Sequence, residues 1–368
     1  MEDVIVVGGG LAGLINAIQL GRAGHSVTLI ERKTYPFHRV CGEYISNEVR
    51  PFLERNDLFP SELKPSSIHT FWLTSTNGKK AVLPLKMGAF GISRYAFDLW
   101  LIEKAREAGV TIMTGHPVNE VQFQDDHFEV SIAGGQSLES RYVVGAFGKR
   151  SILDKRLERP FMSKKSPYVG VKYHLATDFP ADVIALHNFR DGYCGISKVE
   201  GHTYNFCYLS HRDNLRQHGN IDAMEEAVMW QNPHLKSIFQ SSDFLFDKPE
   251  VINEISFERK EPVVRHVLMS GDSAGLITPL CGNGMAMAIH SAKILSEIMI
   301  RHQLSDRTLI EQAYTHAWEK QFRRRLWAGR QFQRLFGSDA LSNVAVNLAR
   351  HAKPVASRLI EQTHGREF

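Results

Sequence analysis

Three glycines follow an apolar run near the start of the chain and have the spacing of a phosphate-binding turn. Val4–Val7 leads into Gly8, Gly10 and Gly13 in the pattern GxGxxG, and Leu11–Ala23 is then predicted to be a helix. Glycines at this spacing permit a tight turn, close approach of the backbone to a pyrophosphate, and close packing of the helix on the strand. The first N–H groups and the dipole of that helix would face the phosphates. The segment therefore predicts a dinucleotide site.

A carboxylate stands at the end of the next predicted strand, Ser26–Ile30. Glu31 comes 18 residues after Gly13, where an acidic side chain accepts hydrogen bonds from a ribose diol. Because a carboxylate repels a 2′-phosphate, this site is predicted not to hold NADP. The alternative is a tight strand–helix turn that binds no ligand, and the complete set of strand, glycines, helix, strand and acid favours the dinucleotide.

A second glycine-rich segment, Gly271–Met287, lies far downstream and reads GDSAGLITPLCGNGMAM. Asp272 follows the predicted parallel strand Val263–Met269, and its carboxylate has the chemistry to bind ribityl hydroxyls. Pro279–Gly284 predicts a tight loop, and Met285–Ile300 predicts a helix whose positive end would stabilise the anion of a reduced flavin. The alternative is a left-handed turn before a core helix, which leaves the closeness of Asp272 to two glycines unexplained. Together the two segments predict one FAD bound by distant pieces of chain.

Two further residues are ambiguous from their chemistry alone. Arg94 lies in the first turn of a predicted helix that ends near Ala108, where a cation opposes the helix dipole. It fits there if it meets an anion such as the FAD pyrophosphate, and the alternative is a solvated surface arginine. Cys41 is either a reactive thiol near the cofactor or a small packed residue, and chemistry alone favours packing.

The elements that must position these residues change character along the chain. A βαβ pattern at the start gives way to short strands with turn signals, of which Asn77-Gly78 is a strong hairpin signal. Antiparallel strands are predicted between residues 168 and 253, and strands 110–146 lead into a second glycine turn at 145–151. We therefore predict an α/β fold, with a Rossmann-like FAD-binding domain, an antiparallel-sheet substrate domain and a C-terminal helical region. The predicted ranges are 1–67, 91–165 and 255–304 for the first, 68–90 and 166–254 for the second, and 305–368 for the third.

Composition narrows the class of protein. The chain has 368 residues, 43% of them hydrophobic, and a net charge of +4, which favours a slightly basic enzyme over a nucleic-acid binder. Its four cysteines have no CxxC pair and no metal-ligand spacing, so no metal site is predicted. Without a signal-peptide pattern or a long apolar run, we expect a cytoplasmic protein with reduced thiols, as a monomer or homodimer.

The residues after about Ser305 predict helices with a basic face and interleaved apolar residues. Lys320, Arg323 and Arg324 alternate with apolar side chains such as Phe322 and Trp327. One interpretation is a weak membrane-surface contact that collects a hydrophobic substrate. The other, which we favour for this helix, is a solvated face that packs on its own protein.

The order of these motifs, from the GxGxxG turn to the loop at 279–284, resembles the FAD-dependent oxidoreductases of the p-hydroxybenzoate hydroxylase fold. That superfamily includes aromatic hydroxylases, halogenases and geranylgeranyl reductases. Cys41-Gly42-Glu43 and Gly275 are similar to the geranylgeranyl-reductase-like branch. The turn at Gly145–Gly148 lacks the aspartate–glycine pair common in hydroxylases, the substrate-sheet aromatic signature is reduced to Gly192–Gly195, and no halogenase motif is evident.

The cofactor-binding residues that the motifs and the resemblance imply are Gly8, Gly10, Leu11, Ala12, Gly13, Glu31, Arg32, Arg39, Cys41, Arg94, Gly148, Gly271, Asp272, Pro279, Gly282, Asn283, Gly284 and Met285.

The resemblance implies an FAD-dependent monooxygenase. NAD(P)H would act as a transient electron donor, and O₂ would supply a hydroxyl group to a small hydrophobic or phenolic substrate, such as a polyketide or quinone. The single FAD site, with no second Rossmann motif for a stably bound nicotinamide, motivates this hypothesis. The alternatives are a flavoenzyme that reduces carbon–carbon double bonds, with Cys41 near the flavin, and a non-catalytic flavin-binding protein. A base would assist hydroxylation, and His174, His187 and Tyr193 lie in the predicted substrate sheet, although structural roles are favoured for each.

Overall fold

Two β-sheets form the frame of the protein. The computed structural model describes residues 1–164, 166–253, 255–278, 280, 282–335, 339–361 and 364–368. The strands are β1 (Glu2–Val7), β2 (Val27–Glu31), β3 (Tyr44–Ser46), β4 (Ser66–Thr74), β5 (Lys80–Gly91), β6 (Thr111–Thr114), β7 (Val118–Gln124), β8 (His127–Ile132), β9 (Ser137–Gly145), β10 (Tyr168–Ala176), β11 (Val183–Phe189), β12 (Gly192–Lys198), β13 (Tyr204–His211), β14 (Asp243–Phe244), β15 (Glu250–Asn253), β16 (Val263–Val264) and β17 (Val267–Met269). The helices are α1 (Leu11–Arg22), α2 (Arg50–Arg55), α3 (Arg94–Glu107), α4 (Ile152–Arg156), α5 (Arg212–His218), α6 (Ile221–Val228), α7 (Pro233–Ser241), α8 (Gly284–Arg301), α9 (Arg307–Leu335), α10 (Asp339–His351) and α11 (Lys353–Glu361).

The first sheet contains the predicted nucleotide-binding unit. Strands β17, β9, β1, β2 and β6 lie side by side and pair in parallel, and α1 packs against both α3 and α8. Val4–Val7 is buried along its whole length, because strands of a parallel sheet are covered on both faces. The prediction of a strand, a helix and a second strand that ends at Glu31 is confirmed.

The prediction of a single parallel strand at Val263–Met269 is wrong. The segment forms two short strands, β16 and β17, which pair antiparallel, and only β17 pairs in parallel with β9. Arg265 and His266 between them have φ of 46° and 66°, so two consecutive residues lie in the left-handed region and reverse the chain. The pair contains none of the glycine, asparagine or aspartate residues that usually announce such a turn.

The second sheet is mostly antiparallel. Strands β10, β13, β12 and β11 are antiparallel neighbours, as predicted, and the hairpin β4–β5 at Asn77-Gly78 is confirmed. Contrary to the antiparallel expectation, β4 joins this sheet parallel to β11. One face of the sheet is covered by an apolar cluster that includes residues of α6 and α7, such as Met224 and Leu235. The opposite face, called here the inner face, is the one that meets the predicted flavin-binding segments.

The C-terminal helices pack on both parts of the molecule. Phe322 and Leu326 of α9 are buried in the core of the first sheet, whereas Val346 and Ala349 of α10 join an apolar cluster on the inner face of the second sheet. In the part of the chain that the structure describes, no helix is both long enough and apolar enough to cross a membrane. The mixed α/β fold is confirmed, and the exact domain ranges stay a prediction.

Candidate functional site

The glycine turn after β1 leaves no room for side chains. Gly8 has φ of 105°, and a Cβ atom there would overlap the backbone oxygen of Ala146. A Cβ atom at Gly13 would overlap the backbone oxygen of Gly8, so helix α1 can approach β1 this closely only with glycine at that position. At Gly10, by contrast, the nearest atom to a built Cβ is the flexible Nη2 of Arg94 at 3.6 Å. The turn is therefore tight against the sheet and open on its outer side.

Helices α1 and α8 begin without a side-chain cap. No side chain of the described residues caps α1 at Gly10 or α8 at Asn283, although Ser93 caps α3 and Ser151 caps α4. Uncapped N–H groups at a helix start need another acceptor, and the positive end of the helix dipole favours an anion or a polarised ring there. Both helices predicted to face FAD thus begin with N–H groups that are available to it.

Glu31 reaches back to the glycine turn. Its Oε2 accepts hydrogen bonds from the backbone N–H of Gly9 at 2.9 Å and from Nη2 of Arg39 at 3.1 Å. The hydroxyl of Tyr35 and Nη2 of Arg39 both donate to the backbone oxygen of Gly9. Burial raises the pKa of the Tyr35 hydroxyl above its ordinary value, so that hydroxyl stays a donor. Arg32, also predicted to bind the cofactor, is exposed.

Arg94 is held beside the turn by a carboxylate that the sequence analysis did not identify. Its Nε and Nη2 donate to the two oxygens of Asp98 at 2.7 and 2.8 Å, and Nε of Arg39 donates to the same group at 3.1 Å. Burial alone would lower the pKa of the Arg94 guanidinium, but the Asp98 carboxylate outweighs burial and raises that pKa above its ordinary value. Arg94 is therefore a fixed cation, not a solvated one. The signal for Asp98 was its position four residues after Arg94.

Two loops meet where the ribityl chain is predicted. Gly148 has φ of 85° and open space around its Cβ position, and its N–H donates to Oγ of Ser273 at 2.8 Å. Nζ of Lys260 donates to the backbone oxygens of Lys149 and Asp272, each at 2.8 Å, and ties the two loops together. Burial lowers the pKa of Lys260 to about 8. Among the described residues we find no hydrogen-bond or ion-pair partner for the Asp272 carboxylate, which leaves it available to a hydroxyl donor.

The two glycine-rich segments are in contact, as one shared site requires. A Cβ built at Gly271 would lie 2.8 Å from the Cβ of Ala12 in α1, and Gly271 has φ of 66°. Gly282 has φ of 64° and faces the ring of Tyr44, with a Cβ position 3.4 Å away. Buried Glu48 accepts from Nδ2 of Asn283 at 3.2 Å. Of the remaining predicted residues, Leu11 and Met285 are buried at the starts of α1 and α8, Gly284 begins α8, and Pro279 lies outside the described residues.

Segment 38–43 passes over the inner face of the second sheet. A Cβ built at Gly170 would lie 3.3 Å from Cγ1 of Val40. Fully buried Glu43 accepts from Nζ of Lys172, from Nε2 of His174 at 2.7 Å, and from the backbone N–H of Arg94 at 2.8 Å. Burial would raise the pKa of Glu43, but the Lys172 ammonium holds it below its ordinary value, so the Glu43 carboxyl group is ionised at neutral pH.

The candidate base residues lie on different faces. His174 and Tyr193 lie on the inner face, His174 beside Glu43 and Tyr193 in the apolar cluster. His187 lies on the opposite face, where its Nδ1 is 2.9 Å from Oγ1 of Thr74 and its ring stacks on His234. Cys41 is partly buried and packs against the core of the first sheet. The structure thus brings His174 and Tyr193 toward the predicted flavin region and separates His187 from it.

An opening lies in the middle of the inner face. Lys172, Cys207, Gly195 and Leu186 lie side by side on four neighbouring strands. A Cβ built at Gly195 would meet only strand backbone of the described residues, at 3.7 and 4.0 Å. Gly195 and Cys207 are partly exposed, although both lie on central strands. There is therefore room for a side chain above the sheet at this point, and Lys172 lies to one side of it and Leu186 to the other.

These features fit FAD. Gly10, Gly42 and Gly148 have space where a side chain would otherwise intrude, α1 and α8 offer N–H groups, and Asp272 offers a carboxylate. The glycine turn and the N–H groups of α1 would hold the pyrophosphate. Glu31, whose carboxylate is already bound to the turn, would stand beside the adenosine ribose.

Comparison with known proteins agrees with this assignment. The FAD binding domain family matches residues 1–315. Geranylgeranyl diphosphate reductase of Rhodobacter capsulatus is 26% identical over 327 residues, which cover 80% of this chain and 74% of the reductase. YgcN of Escherichia coli, a probable electron transfer flavoprotein-quinone oxidoreductase, is 28% identical over 158 residues, and this match spans 42% of this chain and 37% of that protein.

The fold recurs in a geranylgeranyl bacteriochlorophyll reductase-like protein of Thermoplasma acidophilum. The TM-score is 0.81 at 16% identity, with 100% of this chain and 96% of that chain covered, a likeness that concerns the fold alone. The family match, in contrast, includes the glycine turn, Glu31 and Asp272, and extends over most of the sequence. The chain therefore belongs to the FAD-binding-domain family of flavin-dependent oxidoreductases.

Proposed function

We propose that this protein is an FAD-dependent monooxygenase that hydroxylates a small hydrophobic or phenolic substrate, with NAD(P)H as a transient electron donor. The observation that carries the proposal is the opening over Gly195 on the inner face of the second sheet. When bound, FAD supplies the redox chemistry and the activation of O₂. The chain itself binds and orients the substrate, excludes water and controls where protons are held.

The walls of the opening suit an apolar ring. Leu186, Tyr193 and Leu209 belong to one apolar cluster on the inner face, and Leu276 from the second glycine-rich segment joins it. A ring that lies flat over Gly195 would contact the sheet on one side and the predicted flavin-binding segment on the other. Apolar walls also keep water from the reacting atoms, which oxygen chemistry on a flavin requires.

The charged end of the opening gives the substrate an orientation. Lys172 lies next to Cys207 in register, and its ammonium is paired with Glu43 behind the opening. Burial and the Lys172 ammonium lower the pKa of nearby His38 to about 4, so its imidazole is neutral at neutral pH. A phenolic hydroxyl group directed toward this end would meet ionised and proton-accepting groups, while the apolar part of the substrate lies over Gly195 and Leu186.

A second candidate function is the reduction of a carbon–carbon double bond. The relative from R. capsulatus is a geranylgeranyl diphosphate reductase, and it matches most of this chain. Hydride addition to a double bond also needs a proton for the second carbon. The Glu43, Lys172 and His174 cluster beside the opening contains titratable groups that can hold one.

Labelled oxygen separates the two functions. We expect the FAD-loaded protein, with NAD(P)H and a panel of alkylphenols, to form a product that contains one oxygen atom from ¹⁸O₂ by mass spectrometry. A product that gains two hydrogen atoms under nitrogen, from an isoprenoid alkene, would replace the monooxygenase by the reductase. Bound FAD without turnover of either panel would favour the non-catalytic alternative.

The opening itself is tested by Gly195→Val. The new side chain fills the space above the sheet, so KM for a ring substrate should rise roughly 10–200-fold, as expected for a contact of one to a few carbon atoms in an apolar pocket. FAD content should not change. Ile196→Val, one residue further on and directed into the cluster on the opposite face, is the matched control. An unchanged KM in Gly195→Val would exclude this opening as the substrate site.

A further inference from the structure

Helix α10 and the start of α11 expose a stripe of large apolar side chains. This stripe, called the outer stripe, consists of Leu341, Val344, Leu348 and Val355, which are 40%, 63%, 40% and 51% exposed. The first three recur at spacings of three and four residues, so they share one face of α10. Single exposed apolar residues are ordinary, but a continuous row along a helix marks a contact surface.

The opposite face of α10 is already used within the protein. Ser342, Val346 and Ala349 are buried, and Val346 and Ala349 belong to the apolar cluster on the inner face of the second sheet. The helix is thus apolar on two sides, with one side packed over the sheet and the other directed outward. Packing of the helix accounts for the inner side only.

The charge of this segment indicates what covers the outer stripe. The two helices begin at Asp339 and end at Glu361, and between these two acids residues 340–360 contain three arginine or lysine residues and no aspartate or glutamate. Arg350 and Lys353 are exposed, and both stand between the α10 part of the stripe and Val355. An exposed apolar row beside cations is the pattern of a helix that lies in the interface of a membrane with anionic lipids.

The exposed apolar surface lies on α10 and α11, and not on α9, whose sequence first suggested a membrane contact. In α9, Phe322 and Leu326 are buried in the core, so they are not available for an outside contact, and Trp327 is the exposed apolar residue of that group. Phe332 and Phe336 lie outside the described side chains. The exposed apolar residues of the outer stripe belong to α10 and to the start of α11 instead.

We propose that the outer stripe and the cations beside it bind the surface of an anionic phospholipid membrane. Leu341, Val344 and Leu348 would enter the boundary between headgroups and acyl chains, and Arg350 and Lys353 would lie at the phosphates. The helix remains parallel to the surface, because its inner side stays packed on the second sheet. The protein would then be a peripheral one, with its substrate sheet directly under the helix that contacts lipid.

Vesicle binding of the full, FAD-loaded chain tests the proposal. We expect co-sedimentation with vesicles of phosphatidylcholine and phosphatidylglycerol, and much weaker binding to phosphatidylcholine alone. Val344→Ser/Leu348→Ser should weaken binding at least tenfold, as expected for the loss of two buried apolar side chains. Arg350→Gln/Lys353→Gln should weaken it roughly fivefold for each cation. Leu309→Ser, an exposed apolar residue at the start of α9, is the matched control and should bind like the wild type.

Each other outcome overturns the proposal. Absence of binding to the anionic vesicles, or equal binding by all variants including Leu309→Ser, would remove the outer stripe as a lipid surface. A dimer by analytical ultracentrifugation without lipid, which Val344→Ser/Leu348→Ser converts to a monomer, would assign the stripe to a second copy of the chain. Because the assay contains no substrate, its result is independent of the proposed monooxygenase activity.

Discussion

The ion pair between Glu43 and Lys172 gives a prediction whose size follows from burial. Both side chains are fully buried. Among the described residues, Nζ of Lys172 donates its hydrogen bond to the Glu43 carboxylate. Removal of one partner of such a pair leaves an unpaired buried charge and costs about 3–5 kcal/mol in free energy of unfolding. We expect Glu43→Gln to reach the upper end of this range, because it leaves the Lys172 ammonium without a carboxylate.

Lys172→Met should cost less, toward the lower end of the range. Glu43 then still accepts hydrogen bonds from His174 and from the backbone N–H of Arg94. The double variant Glu43→Gln/Lys172→Met has no buried charge left at this place and should be close to the wild type in stability, or above it. The coupling free energy in the double-mutant cycle is therefore expected to be at least about 3 kcal/mol.

Urea unfolding at a fixed, saturating FAD concentration measures these values. FAD must be fixed because a bound ligand adds to the apparent stability. Far-ultraviolet circular dichroism and tryptophan fluorescence should give coincident transitions before a free energy of unfolding is derived. Arg259–Glu319, an exposed pair with 3.1 Å between Nη2 and Oε1, is the matched control. Its coupling should be below about 1 kcal/mol.

Two results of the urea experiment would contradict the buried ion pair. If Glu43→Gln alone unfolds at the urea concentration of the wild type, Lys172 is not a buried ammonium that depends on Glu43. A coupling no larger than that of Arg259–Glu319 would lead to the same conclusion. If the double variant is stable but has lost activity, the pair has a role in the reaction beyond stability.

Two other predictions concern the cofactor and the pH dependence of stability. Asp272→Ala should raise the Kd for FAD roughly 10–100-fold, the loss expected for hydrogen bonds to a charged group, and a variant that stays fully loaded with FAD would contradict this assignment of the carboxylate. Burial raises the pKa of Glu225 from 4.5 to about 7, against the opposing effect of its hydrogen bonds from Tyr208 and Tyr173. Because this pKa is raised on folding, the stabilisation is complete below pH 4.5 and is lost as pH rises through about 7, by at most about 3 kcal/mol. Glu225→Gln should flatten this slope in urea unfolding at several pH values, and an unchanged slope would assign it to other groups.

The sequence predicted those parts of the fold that are set by local spacing. Gly13 is required by a contact within its own strand–turn–helix unit, and Asn77-Gly78 lies in its own hairpin, so the pattern alone sufficed for both. The contact that confines Gly8 comes from the backbone of Ala146 in a distant segment, and the spacing of the glycines does not reveal it. The turn at Arg265-His266 was missed because it contains no glycine, asparagine or aspartate, the residues by which such turns are usually recognised. The pairing of β4 parallel to β11 was missed because a strand pattern does not specify its neighbour.

The candidate site was predicted unevenly for a similar reason. Lys172 is a single lysine in a strand pattern, and nothing near it in the sequence reveals that Glu43 neutralises it from a distant segment. The opening at Gly195 depends on which residues stand beside it on neighbouring strands, which only the register shows. Motifs predicted the cofactor because its expected ligands are grouped in short segments with recognisable spacing, whereas the proposed substrate side takes single residues from several strands.

The contacts of Arg94 change how the phosphate site is expected to work. A chain of alternating charges connects the glycine turn with the second sheet, and its members in order are Glu31, Arg39, Asp98, Arg94, Glu43 and Lys172. Consecutive members of this chain are in direct contact, with the backbone N–H of Arg94 as the link to Glu43.

A pyrophosphate would therefore have to compete with Asp98 for the guanidinium groups of Arg39 and Arg94. The uncapped N–H groups of α1 face no such competition, so they are expected to be its main partners. Arg94 is then expected to act chiefly by positioning, because it contacts Asp98 and Glu43 and so joins the predicted cofactor cradle to the strand that carries Lys172.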